Sequence, residues 1–198
     1  AALKAGVAHR DPMSRESALL SLGIQGDLGA IELLLGALEN SKQVRKEING
    51  KFNDRSRAFA AYGLSLIASR APNDDVRRMV LLSMLRHFED PKEHQDVRVA
   101  LAIGLGKMYL PFKDARRTLK VPQEGEDTAF GVRYRDDLIE RIWSLLEDED
   151  DRVVAGHLPV TLASLAADAP SPLAASVVNG LLDSLDGKVY RHELSGIA

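Results

Sequence analysis

The side chains best suited to metal or proton chemistry are five histidines, His9, His87, His94, His157 and His192. No two of them stand three or four residues apart, the spacing that would bring both to one face of a helix, and there is no His-Glu-x-x-His element, so no metal site is expected. The run Glu147-Asp148-Glu149-Asp150-Asp151 could in principle attract a hard cation. It lacks the alternating ligands and the glycine of a calcium loop and reads as a solvated acidic turn. The chain has no cysteine, which removes disulfides, thiolate nucleophiles and cysteine-based zinc sites. No nucleophile elbow, phosphate loop or dinucleotide fingerprint occurs, and Gly104-Leu105-Gly106 lies inside a helical pattern, where a phosphate loop would precede one. The expectation is a protein without catalytic machinery or cofactor.

Cationic residues are the more informative set. Arg15, Arg57, Arg98, Arg152 and Arg191 are each followed three residues later by a small or apolar residue, respectively Ala18, Ala60, Leu101, Ala155 and Leu194. A charge placed once per unit at a helix start behaves as a stacking element, and these arginines are expected to pair with acidic neighbours such as Asp54, Asp96 or Asp151. Candidates for contacting a partner are Arg77, Arg78 and Arg86 on one helix, and Lys113, Arg116, Arg117, Lys120, Arg133 and Arg135 in a long connecting segment. The loop at 41–53 carries further cations, Lys42, Arg45, Lys46 and Lys51. Long loops in compact arrays are over-represented at binding sites.

The elements that would hold these residues are helices. Aromatics make up only 5% of the chain while Leu and Ala dominate, and the period-two alternation of half-buried strands is scarce. The segment Asp96–Met108 shows the helical pattern most fully. Val97, Leu101, Leu105 and Met108 fall on one stripe, and Val99, Ala102, Ile103 and Gly106 on a second beside it, so this helix should be covered on more than one side.

Aligning the chain on the arginines gives spacings of 42, 41, 54 and 39. A period near 40 with one insertion is the signature of a helical solenoid. Each unit reads as a helix A and a helix B: units at about 11–40, 54–88, 96–148 with an insertion at 111–135, 151–186, and a partial unit at 190–198. Asp11-Pro12 opens the first helix A and Asp27 its helix B, with Leu28, Ile31, Leu35 and Leu38 as the inward stripe. Val76, Val80, Met84 and Phe88 form the stripe of the second helix B, Leu138, Ile142 and Leu145 that of the third, and Leu173, Val177, Leu181 and Leu185 that of the fourth. Pro159 should kink the fourth helix A.

The pattern Arg15-Glu16-Ser17-Ala18-Leu19-Leu20-Ser21-Leu22-Gly23, followed by Asp27-Leu28-Gly29-Ala30-Ile31 and Leu33-Leu34-Leu35, resembles HEAT repeats, in particular the bacterial E-Z type known from phycobilisome-lyase-like proteins. The resemblance covers most of the chain except the insertion and the 41–53 loop. It implies an all-α fold, a right-handed α-solenoid of about four to five helical hairpins, with A helices on the convex side and B helices lining the concave one. It also implies three functions to weigh: a non-catalytic scaffold binding another protein, a nucleic-acid binder like the HEAT-like alkylpurine glycosylases, and a chromophore lyase or its chaperone. Those glycosylases use a strongly basic groove with aromatic side chains, whereas this chain has a formal charge of −3 and one Trp, which disfavours nucleic acid. The scaffold is the expected function, its surface being the B-helix face and the inserted loops.

No apolar run approaches the roughly 18 to 20 residues that span a bilayer, so direct membrane insertion by this stretch is not expected. The opening Ala-Ala-Leu-Lys carries no initiator Met, and the sequence stops within an apparent helix. It therefore reads as a piece of a larger protein whose compartment the sequence leaves open.

Overall fold

A computed structural model describes residues 2–48, 50–112, 132 and 134–186 of the chain, with the side chains of 185 and 186 excepted. The described residues are all-helical, without a strand. They divide into two compact units, residues 1–108 and 109–198. The division falls between the two helices of the expected third repeat, at the start of the insertion.

The first unit contains α1 (Ala2–Val7), α2 (Pro12–Gln25), a 3₁₀ turn (Leu28–Ala30), α3 (Ile31–Leu38), α4 (Lys42–Glu47), α5 (Asp54–Arg70), α6 (Asp74–Phe88) and α7 (Gln95–Leu105). The helices start where short polar side chains satisfy their orphan amides. Asp11 accepts from Ser14 N at 2.8 Å, Asn53 from Ser56 N at 2.7 Å and Asn73 from Val76 N at 2.8 Å. Asp27 accepts from Gly29 N and so caps the 3₁₀ turn that feeds α3. His94 caps α7, its ring accepting from Asp96 N at 3.2 Å. Gly26 closes α2 with φ of 73°, a left-handed conformation that a side chain would strain.

Helix α5 is the centre of this unit. It packs against α2 on one side and α7 on the other, and it also touches α3 and α6. Leu22, Leu64 and Leu105, each seven residues after its arginine, are all fully buried. The stripes of the B helices hold with changes of detail. Val80, Met84 and Phe88 are buried, but on α3 the inward residues are Ile31, Leu34 and Leu38, while Leu28 stays 43% exposed.

Glycine sets how closely the central helices approach. A Cβ placed on Gly23 would lie 2.4 Å from Gly63 Cα, and one on Gly104 would lie 3.1 Å from Ser65 Cβ and 2.6 Å from the Met84 methyl. Gly23 and Ser65 stand eight residues after Arg15 and Arg57, and Gly63 and Gly104 six after Arg57 and Arg98. The same pair of positions therefore meets at both joints, α2 with α5 and α5 with α7.

Residues 41–53, expected as a loop, contain α4. Ser41 caps it by accepting from Val44 N, and Val44 and Ile48, one turn apart, are buried. Gly36 makes this possible, since a Cβ there would lie 2.2 Å from a Val44 methyl. Four residues between a good cap and two apolar anchors suffice for a helical turn, which an eye tuned to long periodic runs passes over.

The second unit contains α8 (Arg135–Asp148), α9 (Arg152–Ala166) and α10 (Ser171–Asp186). Its core is Leu138, Ile142 and Leu146 from α8, Val154, Leu158, Leu162 and Leu165 from α9, and Val177 from α10. Asp151 caps α9 by accepting from Val153 N and Val154 N. The helix α9 continues through Pro159, which is itself buried. Proline removes one backbone donor there without ending the helix. Gly180 on α10 lets the Trp143 ring of α8 approach, as a Cβ would lie 2.6 Å from it.

Candidate functional site

Two features stand out in the first unit: a ladder of arginines along the starts of α2, α5 and α7, and an open groove on the side of α3, α4 and α6. The ladder is built by register. Arg15, Arg57 and Arg98 are each the fourth residue of their helix, and each guanidinium reaches a backbone carbonyl at or just past the end of an earlier helix. Arg57 Nε donates to the carbonyl of Leu38, the last residue of α3, at 2.7 Å. Arg98 Nε donates to that of Phe88, the last residue of α6, at 2.9 Å. Arg15 donates to His9 O, just beyond α1, at 3.0 Å. The last carbonyls of a helix lack partners and carry its negative dipole end, so a buried cation satisfies both. The expected partners were acidic neighbours; Asp54, at 3.2 Å, and Glu93 do pair with Arg57, but a backbone carbonyl at or just past a helix end is what the three rungs share.

Each of the first two rungs is covered by a residue that the sequence reading did not single out. The Phe52 ring lies under the Arg15 guanidinium, 5.5 Å away. Glu93 takes both terminal nitrogens of Arg57, at 2.7 and 2.5 Å. Its carboxylate is also 3.0 Å from His87 Nδ1 and accepts from the His94 amide. Burial opposes its ionisation, but the hydrogen bonds of His87, Arg57 and the His94 amide, together with the Arg57 charge, outweigh that and hold its carboxyl down at about 2. Arg57 is correspondingly raised: burial works against its charge, and Glu93 and then Asp54 overcome it. The group locks α5, α6 and α7 together, with the Glu93 and Arg57 side chains 5% and 13% exposed.

Arg152, grouped with these arginines by sequence, is different. It is the first residue of α9 and is exposed. Arg152 thus stands three positions nearer the start of its helix than Arg15, Arg57 and Arg98 do in theirs. Arg191 lies outside the described residues.

The arginines and lysines expected to face a partner separate into several environments. Arg77 is half-buried and folded onto its own turn, donating to Ala71 O at 2.5 Å and to Asp74 at 2.5 Å. Arg78 is half-buried and Arg86 exposed. Lys113, Arg116, Arg117, Lys120 and Arg133 lie outside the described residues. Arg135 is corrected from a loop cation to a buried one, 5% exposed. It opens α8, its Nε donating to Leu110 O at 2.8 Å, with Asp168 as its ion-pair partner. Its guanidinium lies between the rings of Tyr109 and Phe112, 4.9 and 4.4 Å from their centres. Its own amide donates to Pro111 O at 3.0 Å. Both ends of the insertion are thereby pinned together by one residue. A basic residue at the edge of a loop gave no signal for this; Tyr109 and Phe112, aromatic in a chain poor in aromatics, were the available one.

The groove has a volume of about 1030 Å³ and an apolar floor that includes Leu28, Ile31, Leu35, Val76 and Met79. Leu28 and Met79, both among its lining residues, are 43% and 46% exposed, high for large apolar side chains. Glu32, Glu39 and Glu47 stand on its rim. The one cation among its lining residues, Lys4, is already committed to Gly29 O at 2.7 Å and Asp27 at 3.9 Å. None of Arg77, Arg78 and Arg86 lines it.

Among the described residues no three His, Asp or Glu side chains are placed to hold a metal ion, and no helix is long and apolar enough to cross a membrane. Comparison with protein-family models, with curated proteins and with solved structures finds no match for the chain.

Proposed function

We propose that the chain is a HEAT-type helical-repeat scaffold that binds another protein and carries out no chemistry of its own. The observation that carries this reading is the recurrence of one register at both joints of the first unit. The residue eight after one arginine meets the residue six after the next, and each arginine donates to a backbone carbonyl at or just past the end of an earlier helix. Units joined by one repeated contact stack in a line and present their second helices as a row, and that is how repeat arrays build extended binding surfaces. The groove supports the same reading, because it lies along the second helices of two successive units and exposes apolar side chains that a monomer gains nothing by exposing. The titratable groups most perturbed by their surroundings support it from the other direction. Glu93 and Arg57 are spent on each other and on helix ends, which leaves them no capacity to act on a substrate.

The test is recovery of the tagged full-length gene product from its native cells under mild crosslinking, followed by reconstitution with the recovered protein. A defined complex on gel filtration is expected. A chain that elutes alone from native cells, and that turns over a small molecule in an activity screen, would refute the scaffold.

A further inference from the structure

We infer that the groove of the first unit takes a basic amphipathic segment of another protein, one that sets apolar side chains on the floor and lysines or arginines against the rim. This rests on the scaffold reading and narrows it to a partner chemistry. The floor is supplied by Leu28 and Met79, the two most open of its large apolar groups, with Val76 and Leu35 half-buried between them. Burying such a floor stabilises a complex through removal of apolar surface from water. That much would accept any apolar segment.

The rim decides the sign. Glu32, Glu39 and Glu47 are all exposed, and among the described residues none of the three forms an ion pair. Gln43 is the partner of Glu47, at a long 3.5 Å, and Lys4 is held by Gly29 O and Asp27. The lysines of α4, Lys42 and Lys46, are not among the lining residues. Three uncompensated carboxylates around one apolar floor favour a positively charged ligand and repel an acidic one, through complementarity that sets specificity and association rate. Arg77, Arg78, Arg86, Lys42, Arg45 and Lys46 are not among the groove's lining residues.

The probes are three synthetic peptides: an amphipathic one of leucine and lysine, one of the same pattern with glutamate for lysine, and a scrambled leucine–lysine control. Binding to the full chain is measured by fluorescence anisotropy, with Met methyl NMR reporting on Met79. The leucine–lysine peptide should bind and shift the Met79 methyl, and the other two should bind at least about tenfold more weakly, a factor that corresponds to a modest change in binding free energy. The double variant Glu32→Lys with Glu39→Lys should lose about tenfold or more, and added salt should reduce the difference between parent and variant. Both glutamates are exposed, so the variant keeps the parent's helical circular dichroism. Met79→Ser should weaken binding without changing its salt dependence.

The inference is overturned if the double variant binds the leucine–lysine peptide as the parent does, if the glutamate peptide binds equally well, or if the Met79 methyl does not move. The scaffold reading fails separately. If the native complex survives in the double variant, the partner sits elsewhere on a scaffold that still stands. If native cells yield no complex with either form, the scaffold itself is wrong.

Discussion

The approach of α2 to α5 is a backbone contact, and its tolerance of a single methyl group is calculable. In Gly23→Ala the new Cβ would lie 2.4 Å from Gly63 Cα, 2.7 Å from Gly63 O and 2.9 Å from Gly63 C. All three are main-chain atoms of α5, which cannot rotate away, so α2 and α5 must separate. Overpacking a tight core costs about 1–3 kcal/mol, and a rigid neighbour places this site at the upper end. Alanine recovers about 0.8–1 kcal/mol through its better helix propensity. The net is a destabilisation of about 1–2 kcal/mol, which for a unit of this size lowers the melting temperature by roughly 5–15 °C.

Gly104→Ala is the matched comparison. Its Cβ would meet the terminal methyl of Met84 at 2.6 Å and Ser65 Cβ at 3.1 Å. The methionine end can swing aside and the serine need give only a few tenths of an ångström, so the propensity gain roughly cancels the packing cost and the net is about zero. Thermal melts of the full chain followed by circular dichroism at 222 nm check the pair. A Gly23→Ala protein that melts at or above the parent temperature would refute the close approach of α2 and α5, and so would a Gly104→Ala protein destabilised more than Gly23→Ala.

Two further outcomes test the arginine ladder. Arg57→Ala strips Glu93 of its main charged partner and leaves Leu38 O without a donor, at a cost on the order of 3 kcal/mol, whereas Arg152→Ala, at an exposed helix start, should stay within about 0.5 kcal/mol of the parent; urea titrations that show equal losses would dissolve the distinction between the two arginines. Because the Glu93 carboxyl is held at about 2, below the ordinary 4.5, the stability it contributes is complete above that ordinary value and is lost as pH falls from there toward 2. The parent should therefore lose more stability across that window than Glu93→Gln, and parallel stability curves for the two proteins would refute the ion-pair account.

What the sequence carried most clearly was what repeats. The arginine spacing, the small or apolar residue three positions on and the leucine seven positions on all describe one helix seen several times, and Ala60, Leu101, Leu64 and Leu105 are buried accordingly. The sequence was less legible wherever a residue's role depends on something distant. Arg135 shares its stretch with five other cations, and only the juxtaposition of Tyr109, Phe112 and Asp168, up to 33 residues away, makes it an internal pin. The groove was missed for a related reason. Glu32 and its helix's C-cap Glu39 belong to α3 and Met79 to α6, and α4, whose Glu47 completes the rim, is a helix of six residues in a stretch that reads as loop.

Glu93 was the residue that could have been found. Phe52 and Glu93 each stand five positions before the next arginine, and each covers the arginine of the preceding unit, Phe52 by its ring and Glu93 by its carboxylate. The position is thus repeated although the residue type is not, and an alignment that scores similarity passes over it. The physical requirement at that position is a group able to cover a guanidinium whose other side is tied to a helix end. An aromatic face and a carboxylate both satisfy it, by different interactions. In the register of Arg152 the corresponding position is Glu147, which instead accepts from the Trp143 ring nitrogen at 3.1 Å within its own helix. The rule therefore spans two rungs of the first unit. A search for repeats of this kind gains by asking which positions must cover a neighbour's charge, since those are conserved in role while free to change in identity.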